Sequence, residues 1–280
     1  MSYKIVLVHV DDSARVQERI LIASRIAIQE QAHLVGVGST GVSEIIYQTT
    51  AADIGNGYIS AYIDTLRQRA EDGLRTFGEL TRRLGVPSTE SRLIDEETAA
   101  GVSLEGRYAD LIVLGQSDPE APSGIVGEDF PEFVALHSGS PVLVIPRTGE
   151  FSNFPQKAVV AWDGGIEARR AVHDALPLLE RTALVEIAVF NAPERPDVHG
   201  QQPGADIALY LTRHGIAVEV RDAVVPHNDI GTALMTHLAD VGADLLVMGC
   251  YGHSRLHEIL LGGVSRTLLS AAKVPVLMSH

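Results

Sequence analysis

The 280-residue chain repeats itself. Ala109-Asp-Leu-Ile-Val-Leu-Gly115 returns as Ala243-Asp-Leu-Leu-Val-Met-Gly249, a shift of 134 positions that also carries Pro141-Val-Leu onto Pro275-Val-Leu without a gap. A duplication of this length implies one fold built twice, and the chain has room for two domains of about 140 residues, each able to bury most of its apolar surface. Each half opens on an apolar run behind a lysine, Lys4-Ile-Val-Leu-Val and Lys157-Ala-Val-Val-Ala, at a shift of 153. The first half is therefore longer by 19 residues, and the extra length is expected around Gly38 to Gly57, where Gly, Ser and Thr are scattered. Turn residues in Arg147-Thr-Gly-Glu-Phe-Ser-Asn-Phe-Pro155 interrupt the apolar pattern, so the expected domains are 1–146 and 157–280 with a linker between.

Within the second half, Ala158 to Trp162 reads as a buried strand and Ile166 to Arg181 as a helix, with Ala168, Ala171, Val172, Ala175 and Leu179 at helical spacing. Strands are expected at Leu184–Phe190, Ala217–Val225, Asp244–Met248 and Pro275–Met278, and helices at Ala205–His214, Ile230–Val241 and Leu256–Ser270. Alternating strands and helices with continuous apolar strands predict an α/β fold: two tandem Rossmann-like domains, each a five-stranded parallel sheet with helices on both faces. Ligands of such sheets sit beyond the carboxyl ends of the strands, which directs attention to the turns after Trp162, Phe190, Val225 and Met248.

Composition narrows the function by exclusion. A formal net charge of -14 argues against binding a nucleic-acid backbone, which calls for clustered Lys and Arg. No apolar run approaches the roughly 18 residues of a membrane span, and the opening residues show no signal-peptide pattern. With Cys250 the one cysteine, no intrachain disulfide can form, and the cytoplasm is the expected compartment.

The turn after the fourth strand of the second half carries the chemistry: Gly249-Cys-Tyr-Gly252-His-Ser-Arg-Leu-His-Glu-Ile-Leu-Leu-Gly262-Gly263-Val-Ser265. Glycines allow a backbone to approach a phosphate with its N–H groups turned inward, and a following helix N-terminus adds positive partial charge. The spacing of Gly249, Gly252 and Gly262 resembles the Gly-x2-Gly-x9-Gly-Ser/Thr pattern of nucleotide-binding universal stress proteins. Trp162-Asp163-Gly164-Gly165 is similar to that family's Asp-Gly-Ser turn after the first strand, and Val225-Pro226-His227 to its turn after the third. The resemblance implies a tandem member with an adenine nucleotide alpha hydrolase-like fold and ATP, with or without Mg2+, in the C-terminal domain alone. Asp163, with Ala161 and Trp162 before it, would then meet the ribose or the adenine edge, and Val189 and Met248 would wall the base. The backbone at Gly249, Gly252, Gly262, Gly263, Val264 and Ser265 would hold the phosphates, with His253 as a neighbour. Two departures stand out: Gly263 occupies the place of the family's Ser or Thr, and Gly165 that of its serine.

In the first half the same shift puts Asp118 at Gly252, Glu128 at Gly262, Asp129 at Gly263 and Pro131 at Ser265. Carboxylates there repel phosphate, and Pro119, Pro122 and Pro131 remove amide donors, so the first domain is expected to bind no nucleotide in this mode. The expected function is a stress-response nucleotide-binding protein whose first domain serves pairing and partner contact, with Pro141-Val-Leu-Val and Pro275-Val-Leu-Met as edges through which the two domains pair, and similar edges on another chain able to extend the assembly to a homodimer. The alternatives are a ligand-free interaction scaffold and a slow ATP hydrolase. No Ser-His-Asp arrangement or carboxylate pair supports more extensive catalysis. His253 and His257 are read as loop and helix-surface residues rather than metal ligands. Asp11-Asp12-Ser13 reads as a helix cap, Asp163 has a cap as its alternative role, and Cys250 reads as an inert, buried strand-end residue.

Overall fold

The apolar runs at 5–8, 111–114 and 245–248 become strands, and the amphipathic stretches at Val16–Glu30 and Ile166–Leu179 become helices. The computed structural model describes residues 2–42, 57–117, 126–127, 129–151, 153–194, 201–226, 229–250 and 264–280. These divide into two compact units, Ser2–Ser140 and Pro141–His280.

The first unit runs β1 (Ile5–Val10), α1 (Val16–Glu30), β2 (His33–Ser39), α2 (Gly57–Leu84), β3 (Thr89–Ile94), α3 (Thr98–Gly106), β4 (Leu111–Gly115) and α4 (Phe130–His137). Its strands lie in the order β3-β2-β1-β4, each parallel to its neighbours. The second runs β5 (Val142–Ile145), β6 (Lys157–Ala161), α5 (Ile166–Leu179), β7 (Leu184–Phe190), α6 (Ala205–Arg213), β8 (Val218–Ala223), α7 (Ile230–Val241), β9 (Leu245–Gly249), α8 (Val264–Ala271) and β10 (Val276–Ser279). Here the order is β5-β10-β9-β6-β7-β8, with β6 to β10 parallel to one another and β5 antiparallel to β10.

The division at Ser140 and Pro141 lies ahead of the turn-rich segment at 147–156. Val142, Leu143 and Val144 pair with Met278, Leu277 and Val276, which groups β5 with the second unit. The central strands carry the core: Val6, Val8, Leu111, Ile112, Val113, Val159, Leu246 and Val247 are all fully or almost fully buried. Helices cover both faces of the second unit's sheet. On one, α5 packs against β9 and β10; on the other, α7 and α8 pack together.

Strand register gives the repeat in atomic terms. Val6 stands beside Leu111 and Ala158 beside Leu245, so the first strands correspond at a shift of 152 rather than the 153 of the leading lysines, and Asp11 aligns with Asp163. A carboxylate anchors each copy in the same way. Asp110 accepts the amides of Lys4 and Ile5 at 2.6 and 2.9 Å, and Asp244 those of Gln156 and Lys157 at 2.8 and 2.9 Å. The extra length of the first half falls in part in α2, which has 28 residues against 9 in α6. Most of the segment expected to hold it, from residue 43 to 56, lies outside the described residues.

Candidate functional site

The carboxyl ends of β6, β7 and β9 bring several expected residues together. Ala161 stands between Ala188 and Met248 in one row across three strands, and the Trp162 amide donates to the Ala188 carbonyl at 2.9 Å. Trp162 and Asp163 follow at once and are half-buried. Asp163 accepts the Gly165 amide at 2.8 Å, which holds the turn into α5 closed. Gly165 is itself the N-cap residue, and α5 has no side-chain cap, so Asp163 shapes the turn ahead of the helix rather than capping it.

Val189 and Met248 are core residues, 1% and 6% exposed, so any ligand would meet only their edges. Gly249 has a packing role of its own. A Cβ there would lie 2.5 Å from the Ala168 nitrogen and 2.7 Å from the Glu167 carbonyl carbon, because the first turn of α5 sits directly against it. Glycine is thus required at 249 with or without a ligand. Cys250 is fully buried; its amide donates to Ser279 and its carbonyl accepts from a His280 ring nitrogen. The backbone of Val264 and Ser265 opens α8, while Gly252, His253, Gly262 and Gly263 lie outside the described residues, as does His257.

The same place in the first unit is filled from within. Arg19, on α1 and 2% exposed, donates from Nε to the His9 carbonyl at 2.7 Å and from Nη2 to Asp11 at 2.5 Å, and it packs over Gly115. Asp11 also accepts from the Ser13 amide and hydroxyl at 3.1 and 2.6 Å. The expected Asp11-Asp12-Ser13 cap does not form: α1 starts at Val16, its N-cap is Arg15 with no side-chain cap bond, and Asp11 is engaged by Arg19. Sequence spacing could not reveal this arginine, since its counterpart in the second unit, at the same shift of 152, is Ala171. Burial works against ionisation of Asp11, but Arg19, His9 and Ser13 outweigh it and hold the carboxyl far below the usual range. Burial likewise pushes the His9 imidazole down to about 4, opposed by Asp11 and reinforced by Arg19. Of the acidic loop, Asp118 and Glu128 lie outside the described residues, while Asp129 precedes α4 and Pro131 sits in its first turn.

A sequence model of the universal stress protein family matches residues 155–280. By sequence, the second unit is thus similar to the universal stress protein family. Universal stress protein Slr1230 of Synechocystis is 26% identical over 178 residues, 62% of this chain; the chain spans 58% of that relative's length. The crystal structure of a universal stress protein from Archaeoglobus fulgidus superposes with a TM-score of 0.70 at 17% identity, covering 98% of this chain and 95% of that one. A protein of unknown function from Pseudomonas aeruginosa gives 0.60 at 15% identity, covering 99% and 92%. At these identities the likeness is one of fold, and it extends over both units of the chain. Among the described residues no helix is long and apolar enough to cross a membrane.

Proposed function

We propose that this chain is a stress-response protein that binds one adenine nucleotide, ATP with or without Mg2+, in its second unit. The observation that carries the reading is the position of Gly249, the first glycine of the Gly-x2-Gly-x9-Gly spacing: it is the last residue of β9, at the strand ends where Ala161, Trp162 and Asp163 also stand. A base lies against the edges of Val189 and Met248, the Asp163 carboxylate accepts from a ribose hydroxyl, and the phosphates meet backbone amides from Gly249 through Ser265. A magnesium ion, when present, neutralises phosphate charge. The turn 161–165 is half-buried, whereas in the first unit the buried Arg19 lies over Gly115 and ties up Asp11, the counterpart of Asp163. That unit serves pairing and partner contact, and the protein works in the cytoplasm without appreciable catalysis.

Native mass spectrometry with ATP and magnesium tests this. One nucleotide per chain is expected for the wild type and none for Gly252→Asp, which copies the first half's Asp118. Two per chain would overturn the assignment of a closed first unit. None for the wild type would favour the other reading, a ligand-free scaffold, which is supported by Gly249 being required by packing alone and by Gly263 standing where a hydroxyl is usual.

A further inference from the structure

A cavity of about 430 Å3 lies in the second unit between α7 and the faces of β7 and β8. Its size suits a small molecule. Strand alternation defines the floor: Ala188 and Phe190 share a face with Glu186, which bonds to His237 of α7, and Arg221 and Ala223 continue that face on β8. On α7 the lining extends from Asp229 to Asp240, a groove of about 16 Å at the helical rise. The site proposed for the nucleotide adjoins one end only, at Val189 and Phe190.

The polar groups facing the groove are unusually uncommitted. Arg221, Asp229 and Asp240 make no side-chain hydrogen bond or ion pair with any described residue. His237 is 6% exposed, and its Nε2 lies 2.5 Å from Glu186 Oε1. A carboxylate can only accept, so Nε2 carries the proton, and in the neutral ring Nδ1, without a partner among the described residues, keeps its lone pair. The helix wall therefore offers acceptors, two carboxylates and an imidazole nitrogen, opposite a guanidinium on the strand wall. Between them runs an apolar strip of Ala188, Phe190, Ala223 and Ala233.

We propose that this groove is a second ligand site, for a small zwitterion with an apolar body, of the chemical class of an aliphatic α-amino acid. Its carboxylate pairs with Arg221, its ammonium with Asp240 beside His237, and its side chain lies on the alanine and phenylalanine strip. A nucleotide at Val189 and Phe190 would leave Asp240, at the far end of the α7 wall, unengaged, and an anion alone would face two carboxylates.

Isothermal titration calorimetry of the full chain with L-leucine at millimolar concentration tests it, with isopentylamine and 4-methylpentanoate as analogues lacking one charge each. Leucine is expected to bind, with both analogues, Arg221→Gln and Asp240→Asn each weakening the interaction by about tenfold or more. Both residues are exposed, so the variants should fold, and circular dichroism checks that they do. Saturating AMP is expected to leave leucine binding in place, which keeps the result separate from the nucleotide reading. No heat with leucine, equal binding in both variants, or displacement of leucine by AMP would each overturn the proposal.

Discussion

His9 is the residue whose burial has the clearest measurable consequence. It is 2% exposed, tilted against the Phe130 ring at 4.9 Å, and its Nδ1 makes no hydrogen bond. An imidazole held at about 4 refuses a proton that the unfolded chain takes up near 6.5. Its contribution to stability is therefore complete above pH 6.5 and is lost as the pH falls towards 4, by about 3 kcal/mol over that window. Asp11 adds little in this window, because its carboxyl is ionised there in both states, protonating near 3.8 in the unfolded chain and only below that in the fold. Urea denaturation at pH 7 and pH 4.5 should show His9→Leu losing about 2 kcal/mol less than the wild type between the two conditions. All other groups are common to the two proteins, so equal losses would mean that His9 is protonated in the folded state.

The strand-opening carboxylates make the case at the level of elements. Asp244 accepts from both Gln156 and Lys157 and thereby fixes where β6 begins against β9, as Asp110 does for β1 against β4. Asp244→Ala leaves two amides to find water and is expected to cost about 1–3 kcal/mol in urea denaturation, with Asp110→Ala similar. A loss in one copy only would show that the repeat has kept the sequence but not the energetics. These aspartates sit inside the repeated Ala-Asp-Leu motif, which is why sequence comparison reached them. Apolar periodicity placed β7 and α7 at the residues where they stand, because a strand of continuous Val, Ile and Leu and a helix with a buried stripe are both set by burial. Less was legible where local chemistry competes: Asp11 looked like a cap, and only the approach of α1 to β1 shows it bound to Arg19. The pairing of Asp11 with Asp163 also needed the sheet register, since leading lysines drift by one residue between the copies. The candidate site was read from glycine spacing, but glycine serves packing as well as ligands, and Gly249 shows the first use directly.

On the scale of the whole chain, the question is where one repeat stops and the next starts. Turn composition favours a break at 147–156, whereas the compact units divide between Ser140 and Pro141. The difference is the strand β5, whose Val142, Leu143, Val144 and Ile145 are all buried and whose antiparallel pairing with β10 supplies that strand's second neighbour. A fragment of residues 157–280 keeps every parallel strand of the second unit but strips β10 of this partner, leaving Val276, Leu277 and Met278 on an open edge. A fragment of residues 141–280 retains the pairing. The longer fragment is therefore expected to melt several degrees higher by differential scanning calorimetry, and a charge placed in β5, Leu143→Lys, should remove that advantage while leaving the shorter fragment's transition as the common floor. Equal transitions for the two fragments would show instead that the unit begins at β6, and that the turn-rich segment, not the strand before it, is where the repeats part.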